Sequence, residues 1–423
     1  MRSFLFLLLL IPVLSVAQLS TADPALAGVS AERLTRIDQF IEQYINQGRL
    51  NGATAIIFRD GKMVYNKAFG YSNVEKKTPI QKDQIFRIAS MTKPIVCVGV
   101  MMLWEEGKFS LDDPISKFIP EFKNPKVLEK FNPNDTTFTT QPAKREITIR
   151  HLLAHTSGLG YPGIGSNFAN AIYAKHKVGG GIGTPNLVLK DNMMRLAALP
   201  LFNNPGEKFL YGLNTDLLGY LIEVISGMPL DKFLDQKIFS PLGMKDTYFY
   251  LPASKYSRLV TLYRQDENAK AVTYPANSNA LANFPLVPNG TYFSGGAGLS
   301  STAYDYALFC QMLINGGTLN NTRLLSPHTI QLMTTNQIGE SLMFDNPEDI
   351  RRFGLGFGLY LDKATMMTPM GYGSYGWDGM FASHFWIDPK NKLVAVFMRN
   401  IWPTPDWDFG DRVKVLVYQS IVQ

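Results

Sequence analysis

Apolar residues recur at helical spacing early in the chain, with Leu34, Ile37, Phe40, Ile41, Tyr44 and Ile45 following Ser30, a residue suited to N-capping. The spacing predicts a helix over Ser30–Gln47. The pattern then turns strand-like at Thr54–Arg59 and Met63–Phe69, which flank the hairpin signal Asp60-Gly61. A short strand is expected at Ile85–Ile88, then an apolar helix from Ser90 to Glu106 stopped by Gly107. The middle of the chain carries helical patterns at Ile149–Thr156, Thr215–Ser226, Leu230–Ile238 and Ala303–Leu313, between loops rich in Pro, Gly and Asn. Strand patterns return at Gly356–Leu361, Met380–Ile387 and Leu393–Arg399, before a last helix over Gly410–Ile421. This order predicts an α+β fold across residues 28–421. One antiparallel sheet, flanked by helices, would be built from about residues 28–89 and 351–421, with a mainly helical region inserted at about 90–350.

Composition changes this picture at the N-terminus. Arg2 precedes an apolar stretch from Phe4 to Val16, and Ser15-Val16-Ala17 places small residues before Gln18. Residues 1–17 therefore read as a secretory signal peptide, too short for a membrane span, and the mature protein is expected to be exported, periplasmic or secreted. No stable membrane insertion is expected. The chain has 423 residues, 46% of them hydrophobic, which excludes intrinsic disorder. Its net charge of +6 is scattered in pairs such as Lys76-Lys77 and Arg351-Arg352, without the basic stripe of a nucleic-acid surface. Two cysteines, Cys97 and Cys310, exclude a disulfide scaffold; both lie on apolar helices and are expected as buried free thiols. The segment Gly179-Gly180-Gly181-Ile182-Gly183 lacks the ending of a phosphate loop and is expected as a flexible surface loop.

Candidate chemistry begins at Ser90-Met91-Thr92-Lys93, where alone in the chain a serine has a lysine three residues on. That spacing puts Lys93 on the face of Ser90 one turn away. A serine hydroxyl needs a base to become nucleophilic, and a partly desolvated lysine can act as one. The helix start also offers a free N–H to a developing oxyanion. The plain alternative is a helix N-cap followed by a solvated lysine. A second element is Tyr211, in a turn before the helix beginning near Thr215; a phenol beside a lysine can serve as general base and then acid. The third is Gly376-Trp377-Asp378-Gly379-Met380, where Gly379 permits close backbone approach and frees the Met380 N–H.

These three elements, in this order, resemble the serine β-lactamase and penicillin-binding-protein family, in particular its branch of class C β-lactamases and family VIII carboxylesterases. Ile147–Leu159, Ser294–Ser301 and Phe385–Pro389 resemble the same branch. The resemblance implies Ser90 as the acylated nucleophile, Lys93 and Tyr211 as the proton-transfer pair, and the N–H groups of Ser90 and Met380 as an oxyanion hole. Trp377, Asp378 and Gly379 would border the substrate. Two departures matter. Leu213 stands where the lactamases carry the Asn of Tyr-x-Asn, with Asn214 one later. Trp377 replaces the lysine or histidine that opens their third motif, and that cation is the group expected to help hold a substrate carboxylate.

The expectation is therefore a serine hydrolase that uses no cofactor and no metal. It would act through an acyl-enzyme on a small-molecule ester or amide, small carboxylic esters above all. A β-lactamase or D,D-peptidase is the alternative, and a catalytically silent cell-wall interaction protein a further one. Nucleic acid is not an expected partner, and the sequence pattern leaves the oligomeric state unspecified. His151 and His155 have a zinc-like spacing, but Leu152 replaces the glutamate of His-Glu-x-x-His, so both are expected to be structural. His384 is expected to be a packed or rim residue. No Gly-x-Ser-x-Gly elbow occurs, which argues against an α/β-hydrolase.

Overall fold

A computed structural model describes residues 21–423 apart from 185, 276–279, 342, 350, 362–365 and 407. The signal-peptide reading lies outside the described residues. Helix α1 (Ala31–Asn46) starts where the sequence pattern puts it: Ser30 Oγ accepts from the Arg33 N–H at 3.2 Å, and Leu34, Ile37, Phe40, Ile41 and Tyr44 are buried. Strands β1 (Gly52–Arg59) and β2 (Lys62–Asn73) form the expected hairpin. Asp60 and Gly61 both have positive φ, 50° and 71°, as a two-residue turn matched to the strand twist requires.

These strands join β3 (Thr78–Pro79) and five strands from the other end of the chain: β4 (Arg352–Phe353), β5 (Gly358–Tyr360), β6 (Ser374–Asp378), β7 (His384–Asp388) and β8 (Leu393–Met398). The order is β4-β5-β6-β7-β8-β1-β2-β3, antiparallel throughout, so the two ends of the chain meet where β8 pairs with β1. Strand alternation splits the burial between two faces. Ile56, Phe58, Phe385, Val394 and Val396 face the helical body. Ile57, Trp386, Ala395 and Phe397 face the other way, under α1 and the final helix, which runs Phe409–Tyr418.

Within the helical body, α2 (Thr92–Glu105) is buried on almost every side, which is why its pattern is uniformly apolar rather than striped. It packs against α3 (Asn214–Ser226), and α4 (Ala303–Ile314) lies against the sheet. The final helix, last in the chain, is α5. Cys97 and Cys310 are free and buried. Among the described residues no helix is long and apolar enough to cross a membrane.

The structure departs from the sequence pattern in four places. The single strand expected at Met380–Ile387 is a turn followed by β7, and β6, unmarked by any apolar run, precedes it. The helix expected over Leu230–Ile238 changes at Asp235 into a wider π-helical turn over Asp235–Phe239. The helix expected over Ile149–Thr156 stops at Leu153, because His155 takes a left-handed φ of 55°. Finally, the glycine-rich segment is anchored by side chains rather than loose: Asn192 Oδ1 accepts from the Gly179 N–H at 2.7 Å.

Candidate active site

Phe86–Arg87 pairs with Ser300–Ser301 and delivers the chain to a short 3-10 turn, Ala89–Met91, that runs into α2. Ala89 sits at φ 42°, a left-handed conformation that costs a residue with a Cβ and is found at sites where geometry is held against strain. Ser90 follows it and is half-buried. One turn on, Lys93 is only 1% exposed. Its Nζ lies 3.2 Å from Ser90 Oγ and donates to the Gly296 carbonyl at 2.7 Å. Tyr211 Oη lies 2.7 Å from the same Ser90 Oγ. Ser90, Lys93 and Tyr211, separated by up to 121 residues in sequence, thus meet around one oxygen atom.

Tyr211 is placed by a turn laced to the segment after His155: the Leu210 N–H donates to the His155 carbonyl at 2.7 Å and the Leu213 N–H to the Gly160 carbonyl at 3.0 Å. Rings then back it. Tyr161 stacks on it at 5.8 Å, His155 lies at 4.9 Å and Trp377 at 5.8 Å between centroids. Lys93 Nζ sits 4.4 Å from the Tyr211 ring centroid and 5.4 Å from that of Tyr161, a cation–π arrangement that helps hold a buried charge. Leu213 is fully buried, and Asn214 turns inward, its Nδ2 2.8 Å from His155 Nδ1. Burial, and then Lys93, push the His155 imidazole well below its ordinary value, so it is a neutral packing ring. His151 Nδ1 accepts the Thr148 N–H at 3.1 Å within a capping box at the helix start. The two histidines have separate structural tasks, and among the described residues no cluster of three His, Cys, Asp or Glu suits a metal.

The third element abuts the first. A Cβ on Gly379 would lie 2.5 Å from the Ile88 carbonyl oxygen, so only glycine lets β6 come so close to the Ser90 turn. Among the described residues, the N–H groups of Ser90 and Met380 donate to no acceptor in the protein. Trp377 is buried against Tyr211 and Phe353, at 5.8 and 5.2 Å between centroids. Asp378 points the other way, as alternation along β6 dictates. It pairs with His384 Nδ1 at 2.8 Å, approaches Arg351 at 4.0 Å, and lines a cavity of about 500 Å³ with Lys414 of α5. Burial raises its carboxyl, but His384, Lys414 and Arg351 outweigh burial and hold it below the usual carboxylate range. The structure therefore brings Trp377 and Gly379 to the site but does not aim Asp378 at Ser90. His384, its cross-strand partner, stays with it, its Nε2 3.2 Å from Arg399.

Sequence reasoning missed what lies behind Lys93. Asp216 of α3 is fully buried, and its Oδ2 has no hydrogen-bond partner among the described residues. Burial raises its carboxyl above the ordinary value, while Ser294 and Lys93 pull it down. Tyr292 Oη donates to its other oxygen at 3.3 Å. The signal was present but faint: an acid in the first turn of an apolar helix, five residues after Tyr211.

A mostly helical body on an antiparallel sheet, with serine, lysine and tyrosine meeting where they adjoin, is the architecture of β-lactamase-fold serine hydrolases. The chain belongs to the Beta-lactamase family, whose model matches residues 37–419. It is 31% identical over 402 residues to esterase EstB of Burkholderia gladioli, covering 90% of this chain and 94% of that one. It is 27% identical over 438 residues to a putative D-alanyl-D-alanine carboxypeptidase of Escherichia coli K12, covering 94% and 90%. Among solved structures it is similar to EstCE1, described as a hydrolase with promiscuous acyltransferase activity, with a TM-score of 0.77 and 27% identity over 92% of this chain and 99% of that one.

Proposed function

We propose that this serine hydrolase is an exported esterase that acts through an acyl-enzyme on small neutral carboxylic esters. The observation that carries the reading is the convergence of Tyr211 Oη and Lys93 Nζ on Ser90 Oγ, at 2.7 and 3.2 Å. Ser90 Oγ attacks the ester carbonyl carbon while its proton passes to the Lys93–Tyr211 pair. The carbonyl π pair moves onto oxygen, and the N–H groups of Ser90 and Met380 receive that oxyanion. Collapse breaks the bond to the alcohol oxygen, which leaves with the proton from the pair. Water then gives one proton to the pair as its oxygen attacks the Ser90 ester carbonyl, and collapse releases the acid while the pair passes that proton to Ser90 Oγ.

The ester preference rests on Trp377, a neutral ring where a lactamase offers a cation, and draws support from the likeness to EstB. The likeness to a putative D-alanyl-D-alanine carboxypeptidase favours the second reading, in which a peptide or β-lactam is the acyl donor. Purified protein assayed side by side on p-nitrophenyl butyrate and a chromogenic cephalosporin, with intact-mass detection of the adduct, separates the two. Butyrate turnover with a butyryl adduct on Ser90 is the expected result. Cephalosporin turnover with negligible butyrate hydrolysis would promote the second reading. Export rests on the charge and apolar pattern of residues 1–17. N-terminal sequencing of protein recovered outside the cytoplasm should begin at Gln18, and an intact leader on that protein would refute export by cleavage.

A further inference from the structure

The glycine-rich loop Gly179–Gly183 has no task in the reaction above, yet it is fastened to the site from two sides. Asn192, fully buried, grips Gly179 at both polar groups: its Oδ1 accepts from the N–H at 2.7 Å and its Nδ2 donates to the carbonyl at 3.0 Å. The same Nδ2 donates to Tyr292 Oη at 2.7 Å, and Tyr292 in turn donates to Asp216 behind Lys93. Thr184 Oγ1 donates to the Gly181 carbonyl at 2.7 Å. Gly181, at φ 96°, lies so close to the site that a Cβ there would be 2.6 Å from Ser294 Oγ and 3.5 Å from Tyr161 Oη.

Ile182, the next residue, joins a small apolar cluster of its own. The buried members are Ala89, Leu262 and Phe381, and Ile182, Met380 and Trp402 pack against them while partly exposed. Ala89 immediately precedes Ser90, and Met380 carries the other unpaired N–H. The cluster shares no residue with the rings that surround Tyr211.

We propose that the Gly179–Gly183 loop is the acyl-side wall of the site, and that Ile182 sets the size of the neutral aliphatic acyl group the enzyme accepts. The inference rests on the acyl-enzyme reading. At a carbonyl carbon bonded to Ser90 Oγ, the oxyanion takes the two N–H groups and the leaving oxygen takes the Tyr211 side. The substituent left over is the acyl chain, and the apolar surface left over is the Ile182 cluster. At Gly181 the backbone passes within contact of Ser294 and Tyr161, so one side chain of the loop reaches the cluster while its glycine neighbours carry none.

The test is the kcat/KM profile of p-nitrophenyl acetate, butyrate and octanoate for the wild type, Ile182→Ala and Ile182→Trp. A second series varies only the alcohol, across acetates of ethanol, phenol and p-nitrophenol. Ile182→Ala should raise the octanoate-to-acetate ratio by about tenfold, and Ile182→Trp should lower it by a similar factor, as a methylene or two of pocket space does. The alcohol series should keep its order in both variants. Acyl profiles within about twofold of wild type in both variants, or a shift confined to the alcohol series, would overturn the assignment. Wild-type protein without Ser90-dependent ester hydrolysis would instead remove the acyl-enzyme reading, and this inference with it.

Discussion

At the scale of single residues, the site depends on three side chains sharing one oxygen. Ser90→Ala should leave the fold intact and abolish covalent labelling by a fluorophosphonate probe; labelling at the wild-type rate would displace Ser90 as nucleophile. Lys93 and Tyr211 both touch Ser90 Oγ, so they should act as a unit, and unit members are not additive. Lys93→Ala and Tyr211→Phe should each cost several orders of magnitude in kcat, and the double variant little more than the worse single one; fully additive losses would assign them separate tasks. These three residues were legible in the sequence because the chemistry fixes their types and, for Ser90 and Lys93, their spacing. Asp216 was not legible, since a buried acid has no periodicity to announce it. Asp378 was legible as part of the third motif, but its direction was not. A side chain one position along a strand faces the opposite side, and which side borders Ser90 depends on a register set by residues far away.

Elements supply the placement. The hairpin formed by β1 and β2, and helix α1, could be read directly, because a turn dipeptide and a capped apolar stripe are local signals. Strand β6 could not, as its Ser, Gly and Asp residues lack the apolar pattern of a buried strand, and its stability comes from pairing with β5 and β7. What β6 contributes is nearness to the Ser90 turn, and Gly379 sets that distance. Gly379→Ala should push the Met380 N–H away from the oxyanion position and lower kcat by about a hundredfold while changing KM little, the pattern of an interaction made mainly in the transition state. Equal kcat in that variant would show that Met380 donates nothing. A second element, the helix at Ile149–Leu153, predicts acid sensitivity. Burial lowers the His151 imidazole to about 4, so below its ordinary value of 6.5 the unfolded chain binds the proton more readily than the folded one. The stability tied to that neutral ring is present above pH 6.5 and drains away as pH falls toward 4. His151→Gln keeps a side-chain acceptor for the Thr148 N–H and removes the titrating group. Thermal melting against pH should therefore fall less steeply between pH 6.5 and 4 in that variant than in wild type; parallel curves would assign the acid loss to other groups.

The whole molecule decides which substrate reaches Ser90. A lysine at position 377 would offer a carboxylate a charge-assisted hydrogen bond worth about 1.5–3 kcal/mol, about ten- to a hundredfold in affinity. The wild-type ring at Trp377 offers apolar contact instead, and the carboxylate of Asp378 is turned to the other face, where His384 Nδ1 lies 2.8 Å and Arg351 4.0 Å away. Trp377→Lys alone should therefore move the kcat/KM ratio from neutral esters towards carboxylate-bearing β-lactams, with no change needed at Asp378; an unmoved ratio would place substrate selection elsewhere. The general architecture was legible because both ends of the chain carry strand patterns around a helical middle, whereas the pairing of those ends could be fixed only in three dimensions. That pairing also governs when the molecule becomes active. Ser90 is synthesised well before Met380, and the contact that joins the two parts of the sheet, β1 with β8, pairs residues such as Ile56 and Val396. Contacts so distant along the chain form slowly, because a long loop must close before they return any energy. A nascent chain can thus carry Ser90 and Lys93 and still lack the strand that brings the Met380 N–H to them. Hydrolysis is withheld until the last strands of the sheet have zipped into the first, which makes catalytic competence a report of the closed sheet.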